Sequence, residues 1–144
     1  MAAEKTLTPE LRAAFGTVAD FLIPAYKAFP AATTVGVHEQ LLDDVLGARP
    51  DLAEAFFRGV AAIETRDLSA SVNAIFRDDP EAFNAVSLAA SGGYYMAPEV
   101  RRILGYPGQE SLTYDPHQVQ TYLTDGTLER VVQRGPIYRA TPHS

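Results

Sequence analysis

Gly92-Gly93-Tyr94-Tyr95-Met96-Ala97-Pro98-Glu99-Val100-Arg101-Arg102-Ile103-Leu104-Gly105-Tyr106-Pro107-Gly108 holds a short helix bracketed by glycine, proline and tyrosine. Gly92-Gly93 is expected to stop the helix arriving from upstream. Pro98 can open a new one at its first turn, and Gly105 with Pro107-Gly108 can close it and turn the chain. The stretch carries almost no reactive chemistry. Three tyrosines sit at its breaks, and tyrosine joins a rigid apolar body to one polar handle, which suits a docking surface better than a reaction centre. The segment predicts a helical protein that binds another protein.

Upstream, the helical pattern recurs. Thr8-Pro9-Glu10 combines a capping hydroxyl, a proline tolerated at the first helical position and an early acid, followed by Leu11, Phe15, Val18 and Leu22 at helical spacing. This helix is expected to end before Pro24, with an irregular link over residues 24–36. Val37, Leu41, Val45 and Leu46 predict a second helix stopped by Gly47, and Pro50 a third with Leu52, Phe56, Val60 and Ile63 on one stripe. A fourth carries Leu68, Val72, Ile75 and Phe76. Asp79-Pro80-Glu81 then repeats the first start signal, and Phe83, Val86 and Ala90 lead toward Gly92.

Downstream, residues 109–123 read as extended, and Thr124-Asp125-Gly126 precedes a short amphipathic helix with Leu128, Val131 and Val132. No stretch alternates long enough to make a strand, and no repeat or heptad array is present. The expected architecture is mainly α: a single-domain irregular bundle of about five to seven helices. Its helical domain would span 1–108, and 109–144 would be a partly extended C-terminal segment with one short helix, packed on the same domain or on a partner.

Composition narrows the function classes. The 144 residues suit one domain, large enough to bury about 68–70% of the unfolded chain's surface. With no cysteine, disulfides, Cys-based zinc sites and iron–sulfur ligation are excluded. The net charge is −6, and residues 1–100 carry seven Lys or Arg against fourteen Asp or Glu. Such an acidic body lacks the basic stripe that nucleic acid or an anionic membrane requires. The longest apolar patches, such as Phe21-Leu22-Ile23-Pro24-Ala25, fall far short of the roughly 20 residues of a membrane helix, so no direct membrane insertion is expected.

A search for catalytic groupings returns little. His38, His117 and His143 form no H-E-x-x-H pattern and no pair at ligand spacing. His38-Glu39 reads as a solvated first turn, and His117, after Asp115-Pro116 in a loop, is the one histidine left open as a functional group. Asp43-Asp44 and Asp78-Asp79 are neighbours that point apart on a helix and read as exposed charge and a helix cap. Ser87 and Ser91 lack a G-x-S-x-G elbow, and Gly92-Gly93 lacks the G-x-G-x-x-G pattern. No catalytic, cofactor-binding or metal residue is therefore assigned.

Two regions resemble the gluconate 2-dehydrogenase subunit 3 family, the small subunit of FAD-dependent sugar and sugar-acid dehydrogenases. One is Ala19-Asp20-Phe21-Leu22-Ile23-Pro24 with Phe29-Pro30-Ala31-Ala32 and Gly36-Val37; the other is Phe83 through Gly108, with Gly93-Tyr94-Tyr95, Pro98-Glu99-Val100 and Leu104-Gly105-Tyr106-Pro107-Gly108. Arg101 stands where the family often has tryptophan. The resemblance implies a non-catalytic accessory subunit that binds, stabilises or matures a large flavoprotein of the glucose–methanol–choline type. That partner would hold FAD and the substrate site, and a cytochrome c subunit would take the electrons. Many family members bear a twin-arginine signal. Met1-Ala2-Ala3-Glu4-Lys5 shows none, which reads as cytoplasmic as written, or as periplasmic if such a leader has been removed.

The expected partner interface comprises Tyr94, Tyr95, Met96, Tyr106 and Pro107, with Tyr114 and Tyr122 from the C-terminal segment wrapping the partner. The same tyrosines could instead lock the Pro98–Leu104 helix onto the domain's own core. Two further readings stand beside this one: a homo-oligomeric helical interaction module, and a self-contained enzyme or small-ligand binder in which Tyr95, His117 and Asp115 line a pocket.

Overall fold

A computed structural model of the chain describes residues 6–111, 115 and 120–137. The chain divides into two compact units, Met1–Gln109 and Glu110–Ser144. Among the described residues there is no strand, only the isolated bridge between Tyr26 and Phe29, and the mainly α-helical class expected is the one observed. The described residues hold eight α-helices, six in the first unit and two in the second.

Helix α1 (Pro9–Leu22) starts as its sequence dictates: Thr8 is extended, its Oγ1 accepts the Leu11 N–H at 3.3 Å, and Pro9 takes the first helical position. It stops because Pro24 disfavours helical geometry in the preceding residue, and Ile23 leaves the helix. The irregular link expected next is present. It contains a 3₁₀ turn, Thr33–Val35, tied to α1 by the Asp20 carboxylate, which accepts from the Thr33 N–H at 2.7 Å and the Thr33 hydroxyl at 2.6 Å.

Helix α2 (Gln40–Ala48) starts later than its apolar spacing suggests and runs one residue past Gly47. The late start coincides with the hold that Arg12 of α1 has on the preceding turn. Its guanidinium donates to the His38 and Glu39 carbonyls at 3.2 and 2.8 Å and pairs with Asp43 at 2.7 Å. His38-Glu39 is thus a turn held outside the helix, not its solvated first turn, and Asp43 is an interhelix partner.

A 3₁₀ turn at Pro50–Leu52 buries Leu52, and α3 (Ala53–Ala61) buries Phe56 and Val60; Ile63, the last residue of the expected stripe, lies beyond the helix and is half-buried against the core. Phe56 meets Phe15 of α1 edge-on at 5.1 Å. Helix α4 (Leu68–Asp78) buries Val72 and Ile75 but leaves Phe76 exposed, edge-on to Phe83 at 5.1 Å.

At the centre lies α5 (Pro80–Met96), capped by Asp79, whose Oδ1 accepts the Ala82 N–H at 3.1 Å. Its buried line of Ala82, Ala85, Val86, Ala89, Ala90, Gly93 and Tyr94 packs against α1, α2, α3 and α4. Contrary to expectation, Gly92-Gly93 does not stop it. The reason is tertiary: a Cβ at Gly93 would lie 3.2 Å from Val37 Cγ1, so the missing side chain permits a close approach. That packing outweighs the roughly 1 kcal/mol that a helical glycine costs. The true stop is Pro98, which holds Ala97 extended at φ −60°, ψ 127° and opens α6 (Pro98–Leu104).

In the second unit, α7 (Thr121–Thr124) is a single helical turn, which corrects the extended reading of residues 109–123 at its C-terminal end. Helix α8 (Thr127–Arg134) follows as expected, with Asp125 Oδ1 accepting the Thr127 N–H at 2.8 Å. Leu128, Val131 and Val132 are all exposed.

Candidate functional site

The turn from α5 into α6 decides which aromatic groups face outward. Ala97 and Val100 are buried in the core, which pins α6 across the end of α5. Tyr94 follows them inward and is only 4% exposed. Its hydroxyl donates to the Pro30 carbonyl at 2.8 Å, closing the C-terminal end of α5 onto the link after α1. Burial pushes its pKa up from the usual tyrosine value, with smaller contributions from Tyr95 and Glu99. Tyr94 therefore belongs to the core and offers no surface to a partner.

Tyr95 takes the opposite direction, 59% exposed, its ring edge-on to Tyr94 at 5.8 Å. Met96 beside it is also exposed. Helix α6 ends in a Schellman turn: Gly105 adopts φ 67°, its N–H bonds the Arg102 carbonyl at 3.1 Å, and the Tyr106 N–H bonds the Arg101 carbonyl at 2.9 Å. That reversal brings Tyr106, itself exposed, back alongside its own helix. Tyr95, Met96 and Tyr106 then line one open depression of about 410 Å³ together with Arg101, Gly108 and Gln109. Pro107 lines a second of about 600 Å³ with Pro98, Arg101, Arg102, Gly105 and Tyr106. Four of the expected interface residues thus converge on one surface.

Arg101 forms the ridge between the two depressions. Its guanidinium lies over the Tyr106 ring, 5.6 Å from the centroid, and its Nη2 donates to the Pro107 carbonyl at 3.0 Å. Gly108, at φ 101°, completes the turn where any Cβ would collide with that guanidinium. Arg101 and Arg102 were missed as site residues. The available signal was a basic pair inside an acidic chain, but only the Schellman turn brings Tyr106 under Arg101.

The remaining candidates belong to the second unit or lie outside the described residues. Tyr122, on α7 of the second unit, is exposed; Tyr114 and His117 lie outside the described residues. Asp115 is exposed in the second unit, whereas Tyr95 belongs to the first. Among the described residues no three His, Asp or Glu side chains are grouped to hold a metal ion, and no helix is long and apolar enough to cross a membrane. Comparison with protein-family models, with curated proteins and with solved structures finds no match to this chain.

Proposed function

We propose that this chain is a non-catalytic accessory subunit that docks on an FAD-dependent sugar or alcohol dehydrogenase of the glucose–methanol–choline type and stabilises or matures it. The observation that carries this reading is the convergence of exposed Tyr95, Met96, Tyr106 and Pro107 on one rim, held in place by the buried Tyr94 and the α6 turn. Tyrosine and arginine are enriched at binding hot spots, tyrosine because it buries a large, rigid surface with few rotors to freeze and arginine because its planar cation donates several hydrogen bonds and stacks on rings. The motif resemblance supplies the partner's class. In this reading FAD and the substrate site belong to the partner, and a cytochrome c subunit receives the electrons.

One observation favours the homo-oligomeric module as a second reading: Leu128, Val131 and Val132 of α8 are 48, 52 and 70% exposed, an apolar side left uncovered within its unit. Sedimentation velocity separates the two. An accessory subunit runs as a monomer alone and moves into a heavier boundary when the flavoprotein is added. A self-assembled species that ignores the flavoprotein contradicts the accessory reading and leaves the module.

A further inference from the structure

Taken with its chemistry, the groove around Arg101 selects a particular kind of partner segment. None of the described residues lining either depression is acidic, although the chain carries a net charge of −6. Among the described residues neither Arg101 nor Arg102 is paired with a carboxylate. Arg101 is also held ready. Its stacking on Tyr106 and its bond to the Pro107 carbonyl fix the plane of the guanidinium. Guanidinium groups prefer carboxylates in planar, two-point contact, and a donor held in advance loses little freedom on binding. Beside these cations the walls are apolar and aromatic: Pro98 and Pro107 on one side, Tyr95 and Met96 on the other.

We infer that this double groove receives an acidic peptide segment of the partner, with carboxylates at Arg101 and at Arg102 and apolar neighbours against the proline and aromatic walls of the two depressions. The inference rests on the accessory-subunit reading of the same face. A peptide fits the shape better than a small free acid. Both depressions are open, so only a segment long enough to fill them shields the ion pair from water.

The test uses the purified chain and an acetylated, amidated pentapeptide of leucine, two glutamates, proline and phenylalanine, beside the same peptide with glutamine for both glutamates. Fluorescence anisotropy gives the affinities, and amide chemical shifts locate the contact. The glutamate peptide is expected to bind about tenfold more tightly than the glutamine peptide at low salt and to lose that advantage as salt rises. Its shifts should cluster at residues 95–109. Arg102→Gln, which alters an exposed side chain, should remove most of the preference. Arg101→Lys, which keeps charge but not the planar fork, should weaken it, and Arg66→Gln, a distant exposed control, should leave it intact. Equal binding of the two peptides, or unchanged affinity in both groove variants, overturns the inference. So does acetate alone giving the same shifts at the same concentration, which would assign a small-acid site. If the flavoprotein complex forms while the peptides are not distinguished, this inference fails and the accessory reading survives. The converse supports the acidic groove and removes the flavoprotein as its owner.

Discussion

Tyr94 and Tyr95 are adjacent in sequence and opposite in consequence. Tyr94 spends its ring on the core and its hydroxyl on Pro30, so Tyr94→Phe is expected to cost about 1 kcal/mol, read as a lower urea midpoint, and to leave partner binding unchanged. Tyr95→Ala removes an exposed ring, so stability should move by only about 0.5 kcal/mol while partner affinity falls at least about tenfold. A Tyr94→Phe variant that lost binding with its stability intact would place that hydroxyl at the interface, against the geometry. The sequence announced that these tyrosines mattered but not which way each pointed. Direction is set by the phase of α5 relative to Ala97 and Val100, two small apolar residues that nothing local marks as anchors.

Three helices begin where their caps and first-turn prolines say they do, whereas the start of α2 and the continuation of α5 through Gly92-Gly93 are set by tertiary contacts. Thr8-Pro9, Asp79-Pro80 and Pro98 were legible because caps and first-turn prolines act over three residues. Gly92-Gly93 was misread because the reason for glycine there lies across the bundle, in Val37. The same contrast separates two substitutions. Gly59 of α3 lies so close to α5 that a Cβ would sit 2.8 Å from Val86 Cγ2 and 3.0 Å from the Ala82 carbonyl oxygen. Gly59→Ala should therefore destabilise the fold by about 1–3 kcal/mol. At Gly92 a Cβ would make only ordinary contact with Val45 at 3.5 Å, so Gly92→Ala should stabilise it by about 0.5–1 kcal/mol. Thermal unfolding of both variants checks the pair, and a stabilising Gly59→Ala would contradict the α3–α5 packing. Asp79 joins the same two helices by charge: Arg58 of α3 meets its carboxylate at 2.6 Å and that of Glu81 at 2.7 Å. The Arg58 hydrogen bonds, then the Ala82 N–H, hold the Asp79 carboxyl below its ordinary value of 3.8. A carboxyl with a lowered folded pKa adds stability that is complete above the unfolded value and is lost as pH falls through the folded one. Asp79→Asn keeps a capping oxygen and loses the charge. The variant should be less stable than the parent at neutral pH and should converge with it below about pH 3.9. A gap between the urea midpoints that persisted unchanged to pH 2 would contradict this role.

For the whole molecule, the first unit presents an aromatic and basic rim on a packed helical body of acidic overall composition, an arrangement suited to recognition. How Tyr106, Pro107 and Arg101 combine was legible only in part. Gly105 and Gly108 marked the turn, but the course of the long Arg101 side chain depends on a six-residue reversal that no periodicity records. The account's central claim is that this rim docks on an FAD-dependent dehydrogenase. Flavin reports the partner directly, because the proposed subunit contributes none of its own. Co-expression of the tagged chain with a candidate FAD-dependent dehydrogenase of the glucose–methanol–choline type, followed by affinity capture and size exclusion, tests the claim at the bench. The account predicts a stoichiometric complex carrying flavin absorbance, lost in the Tyr95→Ala/Tyr106→Ala double variant although that variant still folds. Separate elution of the two proteins at micromolar concentration, or a complex that the double variant leaves untouched, would contradict it.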